Sequence, residues 1–267
     1  MPKIKVNGLT VNYEQQGAGE PLILIPYLAA DCACYAFQVA DYAKHFTCIS
    51  VDLRGTGGSD PSPGEYSTET LADDVAAFMT AIGVQSAHVS GLSLGGAIGM
   101  WMAAKYPGKV KSLSMHSGWP KTDRFVRAVV EGWETHAKAV TNMPETVIRA
   151  MFPWCFTPEL YQARPDYIES LEQFVLSRPA QSLASFLLQT NAVLEHDVEA
   201  QLGKINAPTQ ITFGRHDMVT SLRFAEPLKS GIRNSEVLVF EGCSHATIYE
   251  RVEEFNEKTL QFLKRSS

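Results

Sequence analysis

The chain has 267 residues, 45% of them hydrophobic and 19% charged, which suits one sizeable α/β domain with room for an insertion. The formal net charge of −6 and the lack of any Lys/Arg run argue against a nucleic-acid partner. The longest early apolar run, residues 22–25, is far too short to span a membrane, and no signal-peptide pattern surrounds it. We therefore expect no membrane partner and a soluble, cytoplasmic protein, while the oligomeric state stays open.

The cysteines indicate neither a disulfide framework nor a metal site. Their number, five, is odd, and no Cys-x-x-Cys pair lies near histidines as in a zinc site. They are Cys32, Cys34, Cys48, Cys155 and Cys243. We expect a reducing environment, no metal and no cofactor.

Strand and helix signals alternate along most of the chain. Alternating apolar residues on both sides of Asn7-Gly8 predict a hairpin, and the apolar stripe of Leu71, Val75 and Phe78 predicts a helix. Strands are predicted at residues 4–6, 9–13, 21–25, 46–51, 87–91, 110–115, 209–213 and 237–240, and helices at residues 35–45, 68–82, 97–106, 222–229 and 247–263. This alternation predicts an α/β fold with a mostly parallel, doubly wound sheet.

The pattern changes after Trp119. No strand signal appears in residues 123–196, where helical segments follow one another. The prolines that interrupt them are Pro144, Pro153, Pro158 and Pro179. Since an α/β unit normally returns to a strand within a short crossover, we interpret this stretch as an inserted helical cap rather than as ordinary layer helices. The predicted domains are a core of residues 1–121 and 197–267 and an all-helical cap of residues 122–196.

One segment of the chain is typical of a nucleophile. An apolar strand runs into Gly91-Leu92-Ser93-Leu94-Gly95, and a helical run follows at once. A serine at the tip of such a turn takes a strained backbone conformation with its hydroxyl exposed, and small neighbours make the turn possible. The helix N-terminus behind the serine offers free N–H groups to a developing anion. We therefore expect Ser93 to be the nucleophile.

Two further residues stand where a serine nucleophile would need them. Asp217 follows the strand at residues 209–213, and His245 follows the strand at residues 237–240. Because the carboxyl ends of parallel strands meet at one edge of a sheet, we expect both to lie near Ser93. Histidine can take the serine proton, and a carboxylate can orient the histidine and stabilise its cation. The chain order Ser, Asp, His is that of one known triad layout.

Together these motifs resemble those of the α/β-hydrolase superfamily over nearly the whole chain. The matching pieces are the serine turn, the loop Asp52-x-Arg54-Gly55-x-Gly57-x-Ser59, Gly214-x-x-Asp217 and Gly242-x-x-His245. The resemblance implies an acid after the penultimate core strand, where Asp217 stands. The serine is similar to that of esterases, lactonases and carbon–carbon hydrolases, whereas haloalkane dehalogenases and epoxide hydrolases carry aspartate at this position.

The resemblance also implies an oxyanion hole, with one departure from the usual pattern. Relatives carry His-Gly after the third strand, and the N–H of the next residue is a donor. Here Pro26-Tyr27 takes that place, so the implied donors are the backbone N–H groups of Leu28 and Leu94. Tyr27 brings bulk and a hydroxyl to the site, where it either shapes the pocket or donates a hydrogen bond. An ordinary core tyrosine is the open alternative.

The sequence thus predicts a cofactor-free serine hydrolase with a helical cap, acting on a small-molecule ester or lactone. Aromatic residues of the cap and its entrance, namely Trp119, Phe152 and Trp154, are expected to line an apolar pocket together with Tyr27. Two alternatives stay open. One is a hydrolase of the carbon–carbon bond of a vinylogous diketone, which would favour extra polar groups for a dianionic substrate. The other is a ligand receptor of the same fold with slow turnover.

Overall fold

A mostly parallel sheet forms the centre of the molecule. The structure is a computed structural model that describes residues 2–267. The strands are β1 (Lys3–Val6), β2 (Leu9–Gln16), β3 (Glu20–Ile25), β4 (Phe46–Val51), β5 (Ala87–Leu92), β6 (Val110–His116), β7 (Thr209–Gly214) and β8 (Ser235–Phe240). Their order is β1-β2-β4-β3-β5-β6-β7-β8; the pairs β1–β2 and β2–β4 are antiparallel, and all pairs from β4 to β8 are parallel. The predicted fold class is confirmed.

Helices cover both faces of the sheet. They are α1 (Ala36–Tyr42), α2 (Thr68–Ala81), α3 (Leu94–Lys105), α4 (Arg124–Val140), α5 (Met143–Thr146), α6 (Phe152–Cys155), α7 (Pro158–Ala163), α8 (Pro165–Ser177), α9 (Leu183–Leu194), α10 (Ala225–Gly231), α11 (Thr247–Glu250) and α12 (Val252–Arg265). Helices α2 and α3 pack on each other, as do α1 and α12. Two of the central residues of β3 show the consequence: Ile23 joins the core cluster under α2 and α3, and Leu24 joins the cluster under α1 and α12. The part of β3 that is buried on both faces, residues 22–25, is therefore apolar, as its sequence predicts.

Two helix predictions differ in detail from the structure. The helix predicted at residues 247–263 is two helices, because the backbone of Arg251 leaves the helical region between α11 and α12. Three of the prolines expected to interrupt helices instead lie in the first turn of one, at Pro144, Pro153 and Pro158. A first-turn N–H has no intrahelical acceptor, so proline loses nothing there.

A helical insertion, residues 122–196, joins β6 to β7. It contains α4 to α9 and a π-helical turn at Val147–Met151, and within this described segment no strand occurs. Its entry and exit are held together, since Val198 N–H donates to Pro120 O at 2.8 Å and Thr122 N–H donates to His196 O at 2.9 Å. The division into core and cap domains at these boundaries stays a prediction.

His196 anchors the exit of the insertion to the core. It is 2% exposed, with its ring nitrogens 2.8 Å from Thr68 Oγ1 and 3.0 Å from Trp119 O. Since the carbonyl oxygen can only accept, Nε2 carries the proton and Nδ1 accepts from the threonine. Burial lowers the pKa of His196 to about 4, against the small opposing effect of the Trp119 carbonyl.

The structure also bears on the expectations for the cysteines, for membrane-spanning helices and for a metal site. All five cysteines are free, and no helix of residues 2–267 is long and apolar enough to cross a membrane. Among the same residues, no group of three or more His, Cys, Asp or Glu side chains could hold a metal ion. The cytoplasmic setting stays a prediction.

The first prediction concerns acid stability. Because the folded pKa of His196 is about 4 and the unfolded value is about 6.5, the unfolded state binds more protons between these values. The stability contribution of neutral His196 is thus complete above pH ~6.5 and is lost as pH falls toward ~4. The free energy of unfolding should be measured by urea titration at pH 7 and at pH 5. Its decrease from pH 7 to pH 5 should be about 2 kcal/mol smaller for His196→Gln than for the wild type. Equal decreases in the two proteins would contradict this prediction.

Candidate active site

Ser93 lies at the tip of a sharp turn between β5 and α3. Its backbone has φ 54° and ψ −116°, a left-handed conformation that L-residues rarely adopt, and its N–H donates to His116 O at 2.8 Å. A side chain on Gly91 would come within 2.2 Å of the Gly95 backbone, so glycine is required for the turn to close. The strained turn expected from the sequence is therefore present.

The serine turn packs tightly against the carboxyl end of β3. A Cβ on Gly95 would lie 2.1 Å from Ile25 O, so no other residue fits without moving backbone. Beside this contact, the Tyr35 hydroxyl donates to Ile25 O and accepts from Leu92 N–H, both at 2.9 Å. Tyr35 thus bridges β3 and β5 where their direct pairing ends. These contacts place the segment after β3 beside the nucleophile candidate.

The structure brings Asp217 and His245 together. His245 Nδ1 lies 2.9 Å from Asp217 Oδ2, and both residues are buried. The other carboxylate oxygen, Oδ1, accepts from the N–H groups of Val219 and Thr220, each at 2.9 Å. Burial acts to raise the pKa of Asp217, but the attraction of His245, its hydrogen bond and the Thr220 N–H outweigh it and hold the pKa below its usual value. An ionised Asp217 therefore fixes the tautomer of His245 with the proton on Nδ1, which leaves Nε2 able to accept a proton.

The loops carrying this pair can meet because Gly214 has no side chain. A Cβ there would lie 2.0 Å from Ser244 O, the carbonyl just before His245. The N–H of His216 also donates to Cys243 O at 2.8 Å, which ties the two loops together.

Sequence reasoning missed two residues that support the pair. The Thr220 hydroxyl donates to Ser117 O at 2.8 Å, and the Ser117 hydroxyl donates to His245 O at 3.1 Å. Asp followed three residues later by Thr is a recognisable turn signal, since an Asx side chain accepts from N–H groups two and three residues on. Ser117 carries no such signal, because its partners come from distant parts of the chain.

Ser93 and His245 line the same cavity, which has a volume of about 130 Å³. Among residues 2–267, no hydrogen bond involves the Ser93 hydroxyl, so the structure does not show a direct contact with His245. Catalytic hydrogen bonds are often long in unliganded enzymes and tighten with substrate. The cavity wall is mostly apolar, as expected for a small organic ligand.

The two backbone amides predicted to hold an oxyanion belong to Leu28 and Leu94. Leu28 lines the cavity, and its N–H has no acceptor within the described part of the chain. Leu94 is the first residue of α3, where an N–H lacks an intrahelical acceptor. The role of the pair as oxyanion donors stays a prediction.

Tyr27 lines the cavity, but it is not a donor to the site. Its hydroxyl lies 2.8 Å from the Tyr249 hydroxyl, which itself donates to Cys34 O at 2.7 Å. Since each hydroxyl has one proton, Tyr27 donates to Tyr249 and has none left for an oxyanion. The donor role weighed for Tyr27 is therefore wrong, and its contribution is the shape of the wall.

The structure places two of the three aromatic residues expected in the pocket on the cavity wall, and the third lies elsewhere. Trp119 and Phe152 line the cavity, whereas Trp154 does not. Trp154 instead packs against Phe125, with ring centroids 6.4 Å apart. In helix α6, Phe152 and Cys155 share a face, three residues apart, while Trp154 projects from the other side.

One corner of the cavity is polar. Arg178 and Asp31 form an ion pair there, with Nη2 and Oδ2 2.8 Å apart, and Gln181 lies beside them in the wall. Because Asp31 balances the guanidinium, the corner carries no net charge. This arrangement suits a neutral polar group better than a dianion.

Comparison with known proteins matches the chain to a family of hydrolases. A family model described as alpha/beta hydrolase fold matches residues 20–252. A protein named as a carbamate hydrolase, RutD of Azorhizobium caulinodans, is 28% identical and covers 98% of both chains. The 3-oxoadipate enol-lactonase 2 of Acinetobacter baylyi is 27% identical over 96% of this chain and 94% of its own. The 2-hydroxy-6-oxo-6-phenylhexa-2,4-dienoate hydrolase of Comamonas testosteroni is 30% identical over 72% of this chain and 67% of its own.

The second prediction concerns the reactivity of Ser93. A fluorophosphonate probe should label this residue, because the hydroxyl faces a cavity shared with His245 at a helix N-terminus. Peptide mapping of the labelled protein should locate the adduct on Ser93, and Ser93→Ala should not be labelled. As a control, Ser90→Ala removes another β5 hydroxyl, which lies 3.1 Å from His116 Nε2, and should be labelled like the wild type. Persistent labelling of Ser93→Ala would exclude the assignment.

Proposed function

The chain belongs to the α/β-hydrolase family, and on that basis we propose that it is a serine hydrolase that cleaves a small carboxylic ester or lactone through an acyl-enzyme intermediate. The observation that carries the proposal is the buried Asp217–His245 pair, 2.9 Å apart, whose histidine shares one cavity with Ser93. A histidine held by an ionised carboxylate beside a strained serine supports acyl transfer.

In the proposed first step, His245 Nε2 takes the Ser93 proton as Oγ attacks the substrate carbonyl. The negative charge that develops on the carbonyl oxygen is met by the N–H groups of Leu28 and Leu94. Asp217 stabilises the resulting imidazolium through Nδ1. His245 then protonates the leaving alcohol, which in a lactone stays attached to the acyl group.

In the second step, water attacks the acyl-enzyme with His245 again as the base, and Ser93 regains its proton. Serine is a weak nucleophile at neutral pH, so both steps depend on the histidine being unprotonated. No step draws on a group outside the chain, its substrate and water.

The lining of the cavity favours a largely apolar substrate. Trp119 and Phe152 give the cavity apolar walls. The acyl or alcohol portion would lie along these walls, with any neutral polar end directed to the corner of Asp31, Arg178 and Gln181.

Hydrolysis of a carbon–carbon bond is the second candidate, and the likeness to the dienoate hydrolase of Comamonas testosteroni favours it. A vinylogous diketone carries extra negative charge, which calls for uncompensated cations in the pocket. Arg178 is the single Lys or Arg among the described residues that line the cavity, and Asp31 neutralises it. The charge balance therefore supports ester or lactone cleavage more strongly.

The third prediction tests the chemistry with a panel of aryl esters, alkyl esters, lactones and one vinylogous diketone. Ser93→Ala should lower kcat by about 10⁴-fold or more while the thermal unfolding midpoint stays close to that of the wild type. Faster turnover of the diketone than of every ester and lactone would favour the second candidate. Unchanged hydrolysis by purified Ser93→Ala would remove the proposed mechanism altogether.

The fourth prediction tests the wall of the pocket with a matched pair of variants on α6. Phe152→Ala enlarges the cavity, so it should shift the ratio of kcat/KM toward bulky acyl groups by about 10-fold. Trp154→Ala removes an aromatic ring two residues away that does not line the cavity, so the same ratio should stay within about twofold of the wild type. If Trp154→Ala altered acyl preference as strongly as Phe152→Ala, the assignment of the wall would be wrong.

A further inference from the structure

We propose that Gln189, in the helical insertion, is a positioning residue that fixes the oxyanion donor Leu28; this inference rests on the proposed function. Gln189 lies in α9 and is fully buried. Its side-chain carbonyl, Oε1, accepts a hydrogen bond from the Ala29 N–H at 3.0 Å. The amide that it holds therefore belongs to the residue directly after Leu28.

Ala29 needs such a brace because its backbone is unfavourable. It has φ 62°, in the left-handed region that residues with a Cβ rarely adopt. The turn is closed from within by one further bond, from Ala30 N–H to Tyr27 O at 3.2 Å. If the Ala29 N–H were released, the Leu28–Ala29 peptide plane could rotate toward a relaxed conformation. Because that rotation changes ψ of Leu28, the backbone that presents the Leu28 N–H would no longer be held in one conformation.

The bonding of Gln189 indicates that its carbonyl is the end that matters. Oε1 accepts from Ala29 N–H and from Gln181 Nε2 at 3.2 Å, while Nε2 of Gln189 is buried without a partner within residues 2–267. The backbone N–H can only donate, so the orientation of the amide is fixed. A buried donor without an acceptor costs free energy, so the unpaired Nε2 needs an explanation. The explanation is that this orientation of the amide keeps Oε1 as the acceptor for the Ala29 N–H.

A second contact from the insertion reaches the same segment. Arg178, which follows α8, pairs with Asp31 at 2.8 Å, and Asp31 also accepts from Ala33 N–H at 3.0 Å. The core contributes a bond from Cys32 N–H to Asp52 Oδ1 at 2.7 Å. Residues 29 and 31 are thus held by side chains of the insertion, and residue 32 by the core.

The fifth prediction tests the brace by two readouts. Gln189→Met keeps the length of the side chain and removes the acceptor, whereas Gln189→Glu keeps an acceptor oxygen. Thr190→Val is the matched control, because it removes a buried hydrogen bond one residue along α9, from Thr190 Oγ1 to Glu134 Oε1 at 2.6 Å. Hydrogen–deuterium exchange of a peptide covering residues 27–31 reports the brace without any activity, and hydrolysis of an aryl ester reports its consequence.

Gln189→Met should exchange faster in residues 27–31 and lose about 10- to 100-fold in kcat with KM nearly unchanged, since donor misplacement costs up to the effect of losing one donor. Gln189→Glu should lie between Gln189→Met and the wild type in both readouts. Thr190→Val should lower the unfolding midpoint and leave both readouts near wild type. Wild-type exchange in Gln189→Met, or a kcat no lower than that of Thr190→Val, would overturn the inference.

Two further outcomes are also decisive. If the wild type hydrolyses no ester or lactone, the proposed function fails, and the exchange experiment still decides whether Gln189 holds Ala29. If Gln189→Met does not fold, Gln189→Asn replaces it, since its amide stays polar while its carbonyl is one methylene too short to reach Ala29. Unaltered exchange in that variant would likewise overturn the inference.

Discussion

The contact on which the site depends is the packing of the serine turn against the end of β3. Gly95 sits so close to Ile25 O that a Cβ would lie 2.1 Å from it, and this approach sets the distance between the nucleophile candidate and the segment after β3. A larger residue would push α3 away and carry Ser93 with it. Glycine is therefore required at residue 95 so that the two backbones can pack closely, and this packing brings Ser93 beside Leu28.

A parallel sheet brings together residues that are far apart in the chain. Ser93, Asp217 and His245 each follow the carboxyl end of a strand, and β5, β6, β7 and β8 are consecutive neighbours in the sheet. The second close approach, at Gly214, then brings the aspartate and histidine loops into contact. The sheet brings the three residues to one edge, and the close contact at Gly214 lets Asp217 and His245 reach hydrogen-bond distance.

The strands and the candidate triad could be predicted from sequence because their signals are local. Apolar runs mark buried strands, and Ser93, Asp217 and His245 each stand within a few residues of a strand end. The orientation of Trp154 could not be predicted, since short proline-started helices leave the rotation of each one to tertiary packing. Gln189 and the partner of Tyr27 were equally hidden, because Gln189–Ala29 and Tyr27–Tyr249 join residues 160 and 222 positions apart.

The insertion contributes no residue to the proposed triad, yet it contacts both sides of the site. Arg178 and Gln189 hold the segment after β3, while Thr157 donates two hydrogen bonds to the partly buried Glu250 carboxylate, at 2.7 and 2.8 Å. Glu250 also accepts from Ser244 N–H, next to His245. Burial raises the pKa of Glu250 against the lowering effect of these hydrogen bonds. A shift of the insertion would therefore disturb the segment after β3 and the loop that carries His245 at the same time, because both are bonded to it.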